Sequence, residues 1–532
     1  MDQTRTVPAP AIVAEPSILP GDTEKRLPQA RYALFLLFLV SVLCYVDRTI
    51  IAAVAEDIKG EMGLTDGELG FLYGTSFSVL FALFGFPIGR LSDLLPRTRL
   101  MAAGLSFWSI MTMFAGVAWS FGTLALSRIG LGLGEATANP SSHSLISQYF
   151  PRKSRGRALA VYLTGTSLGG GLGLYIGGWM VQNWSDVCGS VPIGGACEIS
   201  GWRAAMLLVG APGVILAILV SRLREPQRPN LEKGRLGDLL LREFSASVPP
   251  LTLWAISREG GSVALLKNLA WLALLAGLCT GLTIWTGDSA QWIGFGIGLY
   301  ALVSWITVLK IRDRPLFYLT YGDPVFVLAL AGFTMLACIS LSIGFWAVPY
   351  AIRVLEMPPA DAGLYMGLSV AVTAGVGAMT GGFLVDWWRK FDQRAPLWIG
   401  IVVLVGKAPF IYLMFTTSDQ TLFLWVFLIQ SLFGSLFAAS AAVLVQELVL
   451  VRMRGTAAAA FALTILLVSL AFGPYMLGKI SELSGSLGGA IMSVYALAPF
   501  CLLCLVLAAR QLTGQSDAIR LARARAYGEP TA

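Results

Sequence analysis

The sequence predicts an all-α polytopic membrane protein, two six-helix halves related by an internal repeat with an extra helix pair between them. Three observations carry this. Apolar residues fill 56% of the 532 positions and charged residues only 13%, with a mean hydropathy of +0.72, a balance outside that of water-soluble domains. Apolar runs of about 20 residues, each long enough to cross a hydrocarbon core of about 30 Å, recur along the whole chain. The loops between them alternate in charge. The dyad alternation of a membrane β-barrel is absent.

The elements follow in order. Residues 1–29 are polar and Pro-rich with no apolar core, which reads as a disordered cytoplasmic arm and not as a cleavable signal. The N-terminal half, 30–228, holds spans at about 32–55, 68–91, 99–119, 121–149, 157–182 and 203–222. An inserted segment, 229–323, opens with a stretch of mixed charge and hydrophobes, Leu231 to Glu259, expected to lie along the cytoplasmic surface. Two spans without mid-span charge follow, at about 265–286 and 290–310, expected to pack peripherally. The C-terminal half, 324–511, holds spans at about 325–350, 360–386, 395–416, 420–448, 455–480 and 487–509, and a basic tail, 512–532, closes the chain.

Charge orients these fourteen spans. Arg97 and Arg99, then Arg152, Lys153, Arg155 and Arg157, then Arg222, Arg224 and Arg228 fall on one side, with Lys310, Arg312, Arg389, Lys390, Arg452 and Arg454. Asp57, Glu61, Asp66, Asp288, Asp361 and Asp419 fall on the other. The positive-inside rule then puts both termini in the cytoplasm, with a bacterial inner membrane as the expected location. The net charge of +7 is spent on this orientation, so nucleic acid is not an expected partner.

The halves repeat. Gly89-Arg-Leu-Ser-Asp93 returns as Gly382-Phe-Leu-Val-Asp386 after 293 residues, and Arg155-Gly-Arg-Ala returns as Arg454-Gly-Thr-Ala after 299. Parallel halves of this kind are the organisation of alternating-access carriers.

Four charges interrupt apolar runs: Asp47 and Arg48 in the first span, Arg128 and Glu135 in the fourth. Each costs roughly 2.5–3.5 kcal/mol at a bilayer centre before pairing, so a chain that only spanned would carry leucine there. Arg128 and Glu135 are seven residues apart, two helical turns, and so share a face. The structural alternative is a permanent ion-pair network pinning the first helix to the fourth.

Gly89-x3-Asp93 with Arg97 and Arg99, and Arg128-Ile-Gly-Leu-Gly-Leu-Gly-Glu135-Ala, resemble motifs of the major facilitator superfamily, although Pro96 stands where a second glycine is usual. Tyr45-Val-Asp47-Arg48, taken with Arg128, Gly134-Glu135-Ala136 and Pro140, resembles the Spinster family and its bacterial members. The resemblance implies the major facilitator fold and proton-linked movement of lysophospholipids, sphingosine-1-phosphate or related amphiphiles. The Tyr-x-Asp-Arg start also resembles the anion:cation symporter branch, which carries sugar acids and organic anions, so that alternative stays open. The resemblance turns the first and fourth helices toward a central cavity. There Asp47 and Glu135 are the expected proton carriers, exchanging partners between Arg48 and Arg128, which also serve an anionic headgroup. Asp93 and Arg97 are the expected cytoplasmic gate, with Asp386 and Arg389 as the weaker copy.

Other features are weaker. Cys188 and Cys197 share one Gly-rich loop, and a disulfide follows if that loop is external. Gly169, Gly173 and Gly177 line one stripe of the fifth span, fit for close packing; the antiporter motif has a proline where Leu174 stands. The second half trades charge for aromatics (Phe333, Phe345, Trp346, Tyr350, Phe427, Phe433, Phe437, Tyr475), the expected wall for an apolar tail. Lys407 is its main mid-membrane charge, expected to snorkel or to meet a lipid headgroup. His143, the only histidine, reads as helix surface or packing. No cofactor, metal spacing, catalytic constellation or nucleotide loop is found, so the expected partners are a proton, a small amphipathic or anionic substrate and membrane lipid, with the chain a monomer.

Overall fold

The computed structural model describes residues 29–190, 196–226, 236–512 and 517–529. Residues 1–28 of the arm expected over 1–29, the start of the inserted segment and the last residues of the tail lie outside them. Every regular element among the described residues is helical. The first pass is α1 (Ala30–Ala53), followed by the short α2 (Ala55–Met62). The second pass is α3 (Asp66–Tyr73) with α4 (Thr75–Leu94), and the third is α5 (Arg97–Gly116). The fourth is α6 (Phe121–Glu135) with α7 (Ala138–Tyr149), the fifth α8 (Arg152–Cys188), the sixth α9 (Gly201–Ser221).

The insert supplies α10 (Leu236–Ser247), α11 (Leu251–Thr286), α12 (Ser289–Arg312) and α13 (Arg314–Leu319). The second half runs α14 (Pro324–Arg353), α15 (Pro359–Trp388), α16 (Ala395–Thr416), α17 (Gln420–Leu448) and α18 (Arg454–Ser484). It ends with α19 (Leu487–Ser493) and α20 (Ala498–Leu512), before the amphipathic α21 (Asp517–Ala526). Twelve passes are long and apolar enough by themselves to cross a membrane; α5, diluted by Arg97 and Arg99, and the broken α6–α7 pass complete the fourteen. An even number puts both ends of the bundle on one face.

Local chemistry sets the boundaries. Thr65 and Glu68 form a capping box that starts α3, and Asp323 and Asp419 accept from the first free N–H groups of α14 and α17. The fourth pass breaks after Glu135. Pro140, in the first turn of α7, has no N–H to give to Ala136, and Thr137 Oγ1 turns back to donate to Gly134 O at 2.9 Å. Within α11, Gly261 takes φ 74°, a left-handed value open to glycine, and separates a surface stretch from the span proper. Gly169, Gly173 and Gly177 pack against α1; a Cβ on Gly177 would lie 2.8 Å from that of Ala53, and the other two would come closer still to Val42 and Thr49. Cys188, at the end of α8, is disulfide-bonded to Cys197.

Of the inserted pair, α11 packs on the outside against α10 and α12, as expected, but α12 does not stay peripheral. α12 packs against α4 of the first half and α18 of the second, lying along the seam between them. Thr75 Oγ1 is within donating distance of Gln291 Oε1 (2.6 Å) and Ala471 O (2.8 Å), and Gln291 Nε2 donates to Ala471 O at 2.9 Å. Asp288 accepts from Tyr475 at 2.7 Å and pairs with Lys479 at 2.8 Å. An amide in hydrocarbon needs such partners, and here they come from both halves.

On the same face, Glu61 of α2 accepts from Trp202 Nε1 (2.6 Å) and Arg203 Nε (2.8 Å) at the start of α9. Burial pushes its carboxyl up, but the nearby Ser200 hydroxyl and the hydrogen bonds of Arg203 and Trp202 outweigh it and hold the group below its usual range. A carboxyl depressed on folding contributes stability above its unfolded value and loses it as pH falls through the folded one. Glu61→Gln is therefore expected to lower the melting temperature at neutral pH, with the gap to wild type closing on acidification; thermal scans across pH check this.

Candidate functional site

The four interior charges converge where α1 meets α5 and α6. Glu135, the last residue of α6, is fully buried, and its Oε2 accepts from Arg48 Nε at 2.6 Å and from Cys44 Sγ at 3.3 Å. Arg48 keeps 16% of its side chain exposed, and its guanidinium carbon lies 5.1, 4.9 and 4.9 Å from the ring centres of Tyr45, Phe77 and Phe81. A weakly hydrated guanidinium gains from such faces when water is scarce. The pair is half satisfied: Arg48 Nη2 and Glu135 Oε1 are buried without a hydrogen-bond partner.

Asp47 is buried beside this pair, its Oδ1 accepting from Thr112 Oγ1 of α5 at 2.9 Å. Among the described residues, Arg128 makes no hydrogen bond to a carboxylate. It donates to the backbone carbonyls of Asp47 (3.0 Å) and Leu72 (3.3 Å), pinning α1 and α3 to α6. Of the partner exchange expected from sequence, this state holds Arg48 with Glu135 and leaves Asp47 to a hydroxyl.

The face opposite the termini is sealed. Arg353, at the end of α14, pairs with Glu56 and Asp66, each at 2.7 Å, and Asp66 also takes Lys59 (2.6 Å) and Ser481 (2.8 Å). Glu482 accepts from Gly67 N across the same seam at 2.6 Å. Backbones meet beneath these pairs. A Cβ on Gly70 would lie 2.5 Å from Pro474 O, one on Gly363 would lie 2.5 Å from Leu174 O, and Gly74 and Gly171 are tighter against Leu470 and Gly367. Nearer the termini, a Cβ on Gly89, Gly156, Gly375 or Gly382 would meet no neighbouring atom within 4 Å.

The expected cytoplasmic gate is described only in part. The side chain of Asp93 lies outside the described residues; Arg97 is buried and its Nε donates to Ser92 O at 3.2 Å. Arg389 pairs with Glu447 of α17, so the weaker copy is not an Asp386–Arg389 pair: three residues apart at a helix end, Asp386 points outward and is exposed while Arg389 turns to its neighbour helix. Six of the eight aromatics expected to line a wall, Phe333, Phe345, Trp346, Tyr350, Phe427 and Tyr475, are instead core packing, each at most 4% exposed. Only Phe433 and Phe437 stay partly open. Lys407 does not snorkel but is buried. His143 is exposed and packs edge-on against Tyr162. Sequence reasoning missed Thr112 and the Glu56–Arg353–Asp66 seal, although Arg353 could have been noticed as one of few bases on the acid-rich face.

Two helical bundles sealed against each other at one face and carrying a charged pair inside define a membrane carrier. The chain belongs to the Major Facilitator Superfamily, whose profile matches residues 37–474, and it is an integral multi-pass membrane transporter. An MFS-type efflux pump of Mycolicibacterium smegmatis is 25% identical over 483 residues, 91% of this chain and 90% of that protein. Protein spinster homolog 1 of Mus musculus is 26% identical over 464 residues, 83% of this chain and 71% of that one, in keeping with the resemblance to Spinster. A crystal structure of a bacterial homologue of the human lysosomal transporter Spinster, inward-facing and occupied, shares the fold with TM-score 0.64 at 23% identity, covering 94% of this chain and 98% of its own.

The seal yields a prediction. Arg353→Gln removes two pairs between the halves, so spin labels at positions 60 and 484 should gain a longer-distance population relative to wild type. An unchanged distribution would mean that the seal does not hold this state.

Proposed function

We propose that this chain is a proton-coupled carrier of an amphipathic, lipid-like anion of the lysophospholipid or sphingosine-1-phosphate type, working by alternating access. The observation that carries the reading is the half-satisfied Arg48–Glu135 pair inside the bundle. A spare carboxylate lone pair is a place for a proton, and a spare guanidinium N–H is a place for an anionic oxygen. Protonating Glu135 weakens its hold on Arg48 and frees that arginine for a headgroup. Asp47, one residue away and held only by a hydroxyl in its side-chain bonding, is the second carrier, and Arg128 keeps the helices in register. In this reading the termini are cytoplasmic, the membrane is a bacterial inner membrane and the chain works as a monomer. Opening the sealed face closes the cytoplasmic gate through Asp93 and Arg97, with Asp386 and Arg389 released from their present surroundings to assist.

The efflux-pump relative favours a second reading, export of drugs or soluble organic anions through the same pair. Competition by a lysolipid against a panel of organic acids and drugs separates the two. For the coupling itself, Asp47→Asn and Glu135→Gln are each expected to cut pH-gradient-driven uptake into proteoliposomes about tenfold, with gradient-free exchange largely kept. If both variants keep gradient-driven uptake, proton coupling through these residues is wrong.

A further inference from the structure

Lys407 lies midway along α16, 1% exposed, and its only hydrogen-bond partner among the described residues is Ser340 Oγ of α14, at 2.9 Å. The helices packed against α16 are α14, α15, α17, α19 and α20, and their carboxylates, Asp361, Asp386 and Glu447, all lie at helix ends. A lysine held so deep without a counterion is expensive, and such residues in membrane proteins mark substrate or ion paths. Ser340 takes one of its three N–H donors, and two remain.

The internal repeat says what the site lacks. Ser340 follows Asp47 by 293 residues, and Gly434 follows Glu135 by 299, the same two intervals that relate the loop motifs. Lys407 itself follows Trp108 by 299, so it stands in the second half on the helix that matches α5. So the second half repeats the charged layer of the first with a serine in place of its aspartate and a glycine in place of its glutamate. A Cβ on Gly434 would lie 3.4 Å from Lys407 Nζ, and no other heavy atom of a neighbouring element falls within 4 Å of that point. Gly434 is half-buried on α17, whose stretch from Ser431 to Ala439 stays partly open. The place that a carboxylate occupies in the first half is vacant in the second, and it is lined by an ammonium.

We infer that Lys407, with Ser340 and the gap at Gly434, is an anion subsite that takes the carboxylate or phosphate of the transported molecule in the place where Glu135 stands in the other half. The substrate supplies the counterion that the chain omits. This deepens the substrate class proposed above and rests on that reading. It gives the carrier two cationic positions across the seam, one balanced internally by Glu135 and one balanced only on loading.

The test uses the full chain in nanodiscs, with binding of dodecyl phosphate, dodecanol and inorganic phosphate measured calorimetrically. Lys407→Met is expected to weaken dodecyl phosphate about tenfold while dodecanol stays within about twofold, and Lys407→Arg to retain most of the affinity. Gly434→Glu is expected to fill the gap, pair with Lys407, keep or raise thermal stability and exclude dodecyl phosphate, so a folded variant reports even if Lys407→Met folds poorly. Inorganic phosphate binding with the same dependence on Lys407 assigns the subsite to free anions as well as lipid headgroups. Dodecyl phosphate binding that is absent from wild type, or unchanged in both Lys407→Met and Gly434→Glu, overturns the inference. Lost Lys407 dependence with intact proton-driven flux sinks only the subsite; intact subsite binding without proton-driven flux sinks only the coupling.

Discussion

An arginine and a glutamate held 2.6 Å apart inside a helix bundle in lipid must recover, through contacts, what each lost on leaving water. Glu135 recovers part of it from Arg48 and Cys44, and Arg48 recovers part from three aromatic faces. One atom of each still goes without. A fully satisfied pair would be a rivet. A pair short by one donor and one acceptor sits at a cost that a proton or an anion can relieve, which is what a carrier needs at the centre of its cycle. The surrounding architecture serves that shortage. Arg128 spends its donors on backbone carbonyls to hold α1 and α3 in place, and the break at Ala136-Thr137 ends α6 on Glu135.

The same logic governs the sealed face. Four bases stand on that acid-rich side, Lys59, Arg203, Arg353 and Lys479, and every one is paired with a carboxylate. Charges at the membrane edge keep partial access to water, so these pairs can part at modest cost, whereas glycine-lined backbone contacts beneath them require close fit to form at all. Ion pairs there select the state; glycines permit it. α12 adds a third body to the seam, and Gln291, bonded toward both Thr75 and Ala471, must lose or exchange a partner whenever α4 and α18 move apart.

Much of this was legible in the chain. Apolar runs and loop charge located fourteen passes, and two short loop motifs exposed the halves, because both signals are local and periodic. The interior charges were legible because they violate composition. What could not be read is pairing across distance. Glu56 meets Arg353 across 297 residues, and nothing near either residue announces the other. The aromatic set failed for a related reason: apolar patterning tells that Phe333 or Trp346 avoids water, but lipid, core and cavity wall all satisfy that equally. α12 looked peripheral because it lacks charge, while its place at the seam rests on one neutral amide and on Asp288 at its edge.

Symmetry makes the last step possible. Two halves descended from one pattern start with equivalent positions, and any difference between them marks where their tasks diverged. At the level of Asp47 and Glu135 the first half keeps two carboxylates beside two arginines, and the second keeps one lysine, a serine and a glycine. If the carboxylates were there to pin helices, the second half would need them as well, since its helices pack against one another in the same order. It packs without them, on Phe333, Phe427 and Phe461. The first half's carboxylates are thus surplus to packing, and the second half's lone ammonium is surplus to it too. Surplus charge of opposite sign in the two halves is the arrangement expected when one side handles a proton and the other waits for an anion.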